Sequence, residues 1–254
     1  ISAVHNTLLH EIGLTNCRNS LFERLIHVEE AAQRTHFMGV LRAQGRMHPA
    51  VAAFPNRMFY FKERLKPVPP HQLEEQLDYH LPSIDTLDDA LKAYRMIFIP
   101  SKLCRHSQLS DKVNADEAQI VARILGRIHR FYGPSFDANQ TVGVIVPYRN
   151  QIAMIRKEIE KLGITSLEKI SIDTVERYQG SQRDVIIYSF TIQHRYQLDF
   201  LTANCFEEDG HIIDRKLNVA ITRARKQMIM TGCRSILEQD AVFKELIANS
   251  TIFS

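Results

Sequence analysis

The chain has 254 residues, enough for one large domain or two small ones. It is 44% hydrophobic and 24% charged, the composition of a globular protein with a real core, and its net charge of +3 is too slight a bias to argue for nucleic acid by itself. Four cysteines (Cys17, Cys104, Cys205, Cys233) form no CxxC pair and suggest neither a zinc site nor a disulfide framework; with no apolar run near the roughly 18 residues of a membrane span and no signal peptide, a reduced, intracellular setting is expected.

Residues 1 to about 36 read as helical, with Leu21, Phe22, Leu25 and Ile26 at helix spacing. Residues 36–41 fit a short strand. Residues 42–61 form a dense segment, and the LKPVPP that follows stops any regular element, because prolines cannot continue a helix or a central strand. Residues 71–95 are polar and weakly patterned, as an accessory insertion would be. From Arg95 the pattern changes. Residues 96–99 are a short apolar run. Asn114 is placed to cap a helix, with Asp116 and Glu117 in its first turn and Ile120, Val121, Ile124, Leu125, Ile128 and Phe131 on one face. Residues 141–146 predict a strand, and 148–162 an amphipathic helix closed by Gly163. Strands follow at 170–175 and 185–191, then a helix over 214–225 and a strand over 227–231. Apolar strands alternating with helices predict βαβ units around a buried parallel sheet: a doubly wound, right-handed α/β domain.

No GxxxxGK(S/T) and no GxGxxG occurs, so the usual phosphate cradle is absent and the chain would supply another wall of any nucleotide site. The segment DRKLNVAITRARKQMIMTG, residues 214–232, carries the strongest signal. On a helix at about 100° per residue, Leu217, Ala220, Ile221 and Ala224 share one face. Asn218, Thr222 and Arg225 share a second, and Arg223 lies about 160° from Arg225. An arginine there reaches developing phosphate charge at a domain boundary; the plain alternative is a solvated basic face. In SIDTVERYQGSQRDVIIYSFT, residues 171–191, Gly180 sits in a polar loop at a strand edge, where the backbone must turn or approach a ligand closely. Thr174 offers a hydroxyl and an N–H to a phosphate; the alternative is a hairpin-like connection. In QGRMHP, residues 44–49, His48 lacks partners at ligand spacing and reads as structural, and Phe54, Phe59, Tyr60 and Phe61 read as core. In VGVIVPYRNQ, residues 142–151, a strand ends at Pro147 and presents Tyr148 and Arg149 where doubly wound sheets bind ligands; the alternative for Arg149 is an ordinary surface arginine.

In this order the four segments resemble the C-terminal motor domain of superfamily 1 helicases, in the branch that holds the nonsense-mediated-decay RNA helicase and the replication helicase-nucleases. QGRMHP is similar to that family's QYRMHP, VGVIVPYRNQ to its VGVITPYxxQ, DTVERYQGSQRDVIIYS to its TVDxFQGxExDxVIxS, and LNVAITRAR to its LNVALTRAR. NSLFERL, residues 19–25, is similar to the stretch after the family's first motor domain. The resemblance implies a RecA-like fold, ATP with Mg2+ held mainly by a first motor domain in cis, a single strand of DNA or RNA as partner, and a monomer outside membranes, cytoplasmic or, in a eukaryote, nuclear.

By the same resemblance, Arg46 and Arg223 correspond to the two arginines that reach the γ-phosphate. Gln44, Gly45, Gly180 and Gln182 correspond to positions lining the nucleotide site. Thr174 corresponds to a residue near the nucleic-acid backbone, and Arg149 joins it as a nucleic-acid candidate. Two departures stand out: Gly45 replaces an aromatic residue that stacks on adenine, and Gln182 replaces a glutamate. Residues 1–40 are then a lead-in from a first motor domain and 41–254 the second RecA-like domain, with an insertion at about 62–95. The start at Ile1 and the missing phosphate cradle fit an excised half, inactive alone. The implied activity is an ATP-dependent helicase or translocase. The alternatives are a nucleic-acid-stimulated ATPase that remodels protein complexes, and an inactive RecA-like scaffold.

Overall fold

The computed structural model describes residues 21–68, 71–74, 77, 79–104, 110–178 and 181–253. The chain divides into two compact units, with the boundary after Leu41. In the first, α1 spans Leu21–Ala31. The helix is closed by Gln33 in the left-handed region (φ 55°) and by the Arg34 guanidinium, which turns back onto the Glu29 carboxylate at 2.7 and 2.8 Å. Where the sequence predicts a strand at 36–41, the chain makes one 3-10 turn, Thr35–Phe37, and then runs without regular structure. A strand needs a partner ladder, and none pairs with that stretch among the described residues. The rest of the predicted first helix, 1–20, lies outside the described residues.

The second unit begins with β1 (Ala43–Gln44), α2 (Pro49–Met58), β2 (Lys66–Pro67), α3 (His71–Glu74) and α4 (Thr86–Ala93). It continues through β3 (Met96–Pro100), α5 (Ala115–Tyr132), β4 (Val142–Ile145), α6 (Arg149–Glu160), α7 (Thr165–Glu168), β5 (Ser171–Asp173) and β6 (Arg183–Ser189). It ends with α8 (Tyr196–Leu201), β7 (Cys205–Glu208), β8 (His211–Asp214), α9 (Arg215–Ile221), β9 (Ala224–Gly232), α10 (Arg234–Leu237), α11 (Ala241–Ala248) and β10 (Thr251–Ile252). Six strands form one sheet in the order β10-β3-β9-β6-β4-β5, every pair parallel. The α/β reading of the sequence holds. The hairpin alternative for 171–191 does not, because β5 and β6 lie on either side of β4.

Strand alternation sends successive side chains to opposite faces, and both faces are covered. Ile186, Tyr188, Met228 and Met230 pack into one cluster with Val51, Phe54, Leu217 and Ile221. Val185, Ile187 and Ile229 pack into the other with Val121, Leu125, Ile128 and Ile155. That is why the strands read as continuous apolar runs. The Asn114 cap is real: its side chain accepts from the Glu117 N–H at 3.1 Å. The segment expected as an insertion contributes to the core. Tyr79, Leu87 and Leu91 are buried in the second cluster, and the buried Asp88 pairs with Arg130 and Arg127 of α5.

Candidate nucleotide-binding site

Three short stretches meet where the strands begin: the loop from β1 into α2, residues 181–182 before β6, and the turn between α9 and β9. Gln44 shapes the first. Its Oε1 accepts from the N–H groups of Arg46 (3.1 Å) and Met47 (2.8 Å), and its Nε2 donates to the Met47 carbonyl at 2.8 Å. That carbonyl also accepts from Gln72 Nε2 at 2.5 Å. His48 helps to build the loop and the start of α2. Its Nδ1 accepts from the Ala50 N–H at 3.1 Å to cap α2, and its own N–H donates to the Arg225 carbonyl at 2.7 Å. Pro49 starts the helix where no N–H is needed.

Arg46 reaches out of this loop. Its Nε donates to Gln182 Oε1 at 2.9 Å and its Nη1 to the Thr222 carbonyl at 3.1 Å. Arg223 is only 8% exposed. Its Nη1 donates to the Ser181 carbonyl at 3.4 Å, and its Nε is buried without a hydrogen-bond partner. Burial, and then the charge of Arg46, hold the Arg223 guanidinium below its ordinary pKa, with Tyr60 opposing. Two cations thus share one corner, held by amide and carbonyl oxygens. An anion placed there relieves both the desolvation and the repulsion, and a phosphate's oxygens match the guanidinium forks. The same donors do not fit Mg2+, which wants carboxylate or phosphate oxygens.

Gly45 is exposed, its φ is not positive, and a Cβ built on it meets nothing within 4 Å. Gly180 lies outside the described residues. The predicted helix over 214–225 ends early, at Ile221. The Arg223 carbonyl is taken by the Arg183 N–H at 3.0 Å, so pairing with β6 pulls the chain out of the helix and into β9. The 160° helical argument therefore fails: Arg223 sits in a turn, whereas Arg225 is the second residue of a strand and pairs with Asp184 at 3.3 Å.

Thr174 and Arg149 are not brought to this corner. They follow the C-terminal ends of β5 and β4, at the other end of the strands. Thr174 has its N–H engaged by Asp173 Oδ1 at 2.9 Å. Arg149 is exposed at the first residue of α6, beside a groove of about 420 Å³. Tyr148, Tyr196 and Phe200 line this groove together with Lys112. Tyr196 and Phe200 are not among the sequence candidates, and their signal is an i, i+4 aromatic pair in a polar stretch, HRYQLDF. Gln72 is not among them either, since nothing in a single sequence connects it to Met47.

A family profile described as an AAA domain matches residues 17–235. Among curated proteins, an uncharacterised ATP-dependent helicase of Methanocaldococcus jannaschii is 29% identical over 91% of the chain. Helicase sen1 of Schizosaccharomyces pombe is 27% identical over 83%, and the DNA replication ATP-dependent helicase/nuclease of Xenopus laevis 28% over 94%. The chain spans 31%, 11% and 22% of those three proteins.

Proposed function

Because the chain belongs to the AAA-domain superfamily 1 helicases of the Sen1 and nonsense-transcript-regulator type, we propose that it is the second RecA-like motor domain of an ATP-dependent DNA or RNA helicase or translocase. The observation that carries this reading is the pairing of exposed Arg46 with the desolvated Arg223 around Gln182 and Ser181. In use, ATP sits between this corner and a P-loop domain in cis, which supplies the phosphate cradle and the Mg2+ ligands. Arg46 and Arg223 stabilise the charge that develops on the transferred phosphoryl group, where preorganised cations act most strongly. Gln44 holds the Arg46 loop in shape, Gln182 fixes the Arg46 guanidinium, and Gly45 and Gly180 are the family positions that line the nucleotide site. Arg149 and Thr174 belong to the nucleic-acid face at the far end of the strands.

The test is steady-state ATP turnover by a protein joining this chain to its P-loop domain, with and without single-stranded DNA or RNA. Strand-stimulated turnover that collapses in Arg46→Ala and Arg223→Ala, with duplex unwinding, is the expected result. Turnover indifferent to both arginines would refute it. Stimulated turnover without strand separation would favour a remodelling ATPase.

A further inference from the structure

The groove at the far end of the strands has properties that the two arginines do not explain. Tyr196 and Phe200, four residues apart on α8, are 59% and 44% exposed. Tyr148 lies buried against Phe200, ring centroids 4.9 Å apart at 23°. Large rings scattered singly over a surface are ordinary; three gathered around one cleft are not. Cations border the same rings. Lys112 Nζ is 5.9 Å from the Tyr148 ring and Lys216 Nζ is 4.6 Å from that of Phe200. Arg149 opens the twelve-residue α6, whose positive dipole end faces the same way.

The walls are fixed in advance. Gln193 Nε2 donates to the Val113 carbonyl at 2.6 Å and Gln197 Nε2 to the Asp111 carbonyl at 2.9 Å. Gln197 Oε1 accepts from the N–H groups of Gln193 (2.8 Å) and His194 (3.0 Å), and the Tyr196 hydroxyl bonds to the Asp111 carboxylate. A cleft held in this way loses little freedom when it is filled. At about 420 Å³ it falls in the range of small-ligand clefts.

We propose that this groove is a nucleobase-stacking subsite: it takes one unpaired nucleotide of a nucleic-acid strand, with the base against the Tyr196 and Phe200 rings and the phosphate toward Lys112 and Arg149. Aromatic faces accept any base, and neighbouring cations accept the backbone, which is how sequence-independent strand grips are built. The inference rests on the motor reading above and goes beyond it, since Tyr196 and Phe200 lie outside all four motif segments. The groove grips a strand by its base, whereas Arg149 and Thr174 alone would hold only its backbone.

The test is fluorescence titration of the 254-residue chain with short single strands, one DNA and one RNA, each carrying 2-aminopurine, beside an abasic strand of equal charge. The wild type is expected to prefer the base-bearing strands and to change the 2-aminopurine signal. Tyr196→Ala and Phe200→Ala should weaken those strands about 5- to 100-fold and leave abasic binding nearly unchanged. Tyr196→Phe, which keeps the ring, should bind like the wild type. Equal losses on abasic and base-bearing strands, or no loss, would overturn the subsite while leaving the motor reading intact. Failure of the wild type to bind any strand would overturn the subsite, and the motor reading is tested apart from it by turnover of the joined protein. Thermal melts of each variant establish that it is folded.

Discussion

Arg225 Nη1 lies 3.3 Å from Asp184 Oδ1, whereas Arg223, two residues earlier, faces the cation Arg46. The two arginines of the TRAR segment are therefore held by different partners. In a protein joining this chain to a P-loop domain, Arg223→Ala should lower kcat roughly 10³-fold while nucleotide affinity falls far less, because a finger acts on the transition state. Arg223→Lys should rescue little, since a point charge does not replace the planar fork. Arg225→Ala should chiefly lower stability, by about 1 kcal/mol or less for a partly exposed pair. Turnover beside nucleotide affinity measured without turnover separates the outcomes. Loss of hydrolysis in Arg225→Ala with Arg223→Ala spared would contradict the assignment.

Gly45 leaves open space beside the Arg46 loop. Gly45→Tyr should fold normally, because the backbone there is unstrained, and should tighten ATP binding in the joined protein. A stacked ring contributes roughly 0.5–1.5 kcal/mol beyond its area, about 2- to 10-fold in affinity. Calorimetric titration with a non-hydrolysable ATP analogue checks this; unchanged affinity would show that the base is not gripped at this point.

Gly143 behaves in the opposite way. A Cβ there runs into the Tyr178 hydroxyl, which donates to the Ser171 carbonyl at 2.7 Å. Gly143→Ala should cost about 1–3 kcal/mol, as overpacking does, and should loosen the loop that leads to Gln182. Urea unfolding beside Gly45→Ala, which fills open space, gives the contrast.

Glu117 is fully buried, and burial pushes its carboxyl up to about 8 against the hydrogen bonds from Ser189, Thr191 and Ser101. The folded state then holds a proton that the unfolded chain releases at ordinary carboxylate pH. Stability from this group should be fully present at acid pH and fall as pH rises from about 4.5 to about 8. Glu117→Gln should flatten that slope. Urea midpoints across the range test it, and a slope equal in both proteins would count against the assignment.

Binding of single strands by the chain alone should be weak and salt-dependent. With about three phosphate contacts, affinity should fall roughly 20-fold between about 50 and 200 mM salt. Tight binding indifferent to salt would contradict this.

Much of this architecture is legible in one sequence because local signals agree. Asn114 followed by acids and an apolar stripe specifies α5, and the β-branched runs specify β4 and β6. The end of α9 is not legible, because helix-compatible residues continue past Ile221 and a backbone bond from distant Arg183 decides the matter. The burial of Asp88 and Glu117 is equally hidden: Glu117 reads as a first-turn acid and Asp88 falls in a weakly patterned polar stretch, and only the neighbouring elements turn them inward. At the site, the family resemblance brings Arg46 and Arg223 to one phosphate although they are far apart in the chain, but nothing local ties Gln182 to Arg46 or Ser181 to Arg223.

Strand β6 starts one residue after Gln182 and ends at Ser189, four residues before Gln193 anchors the aromatic groove. Its seven residues span roughly 23 Å at about 3.3 Å each, and beyond Arg183 they are buried between β9 and β4. A strand clamped on both edges and both faces does not stretch or hinge. In the proposed motor, a tilt imposed at the arginines would arrive at the groove as displacement of a stiff beam, with the stroke set by how far the whole domain rotates and not by any relay of side chains along the way.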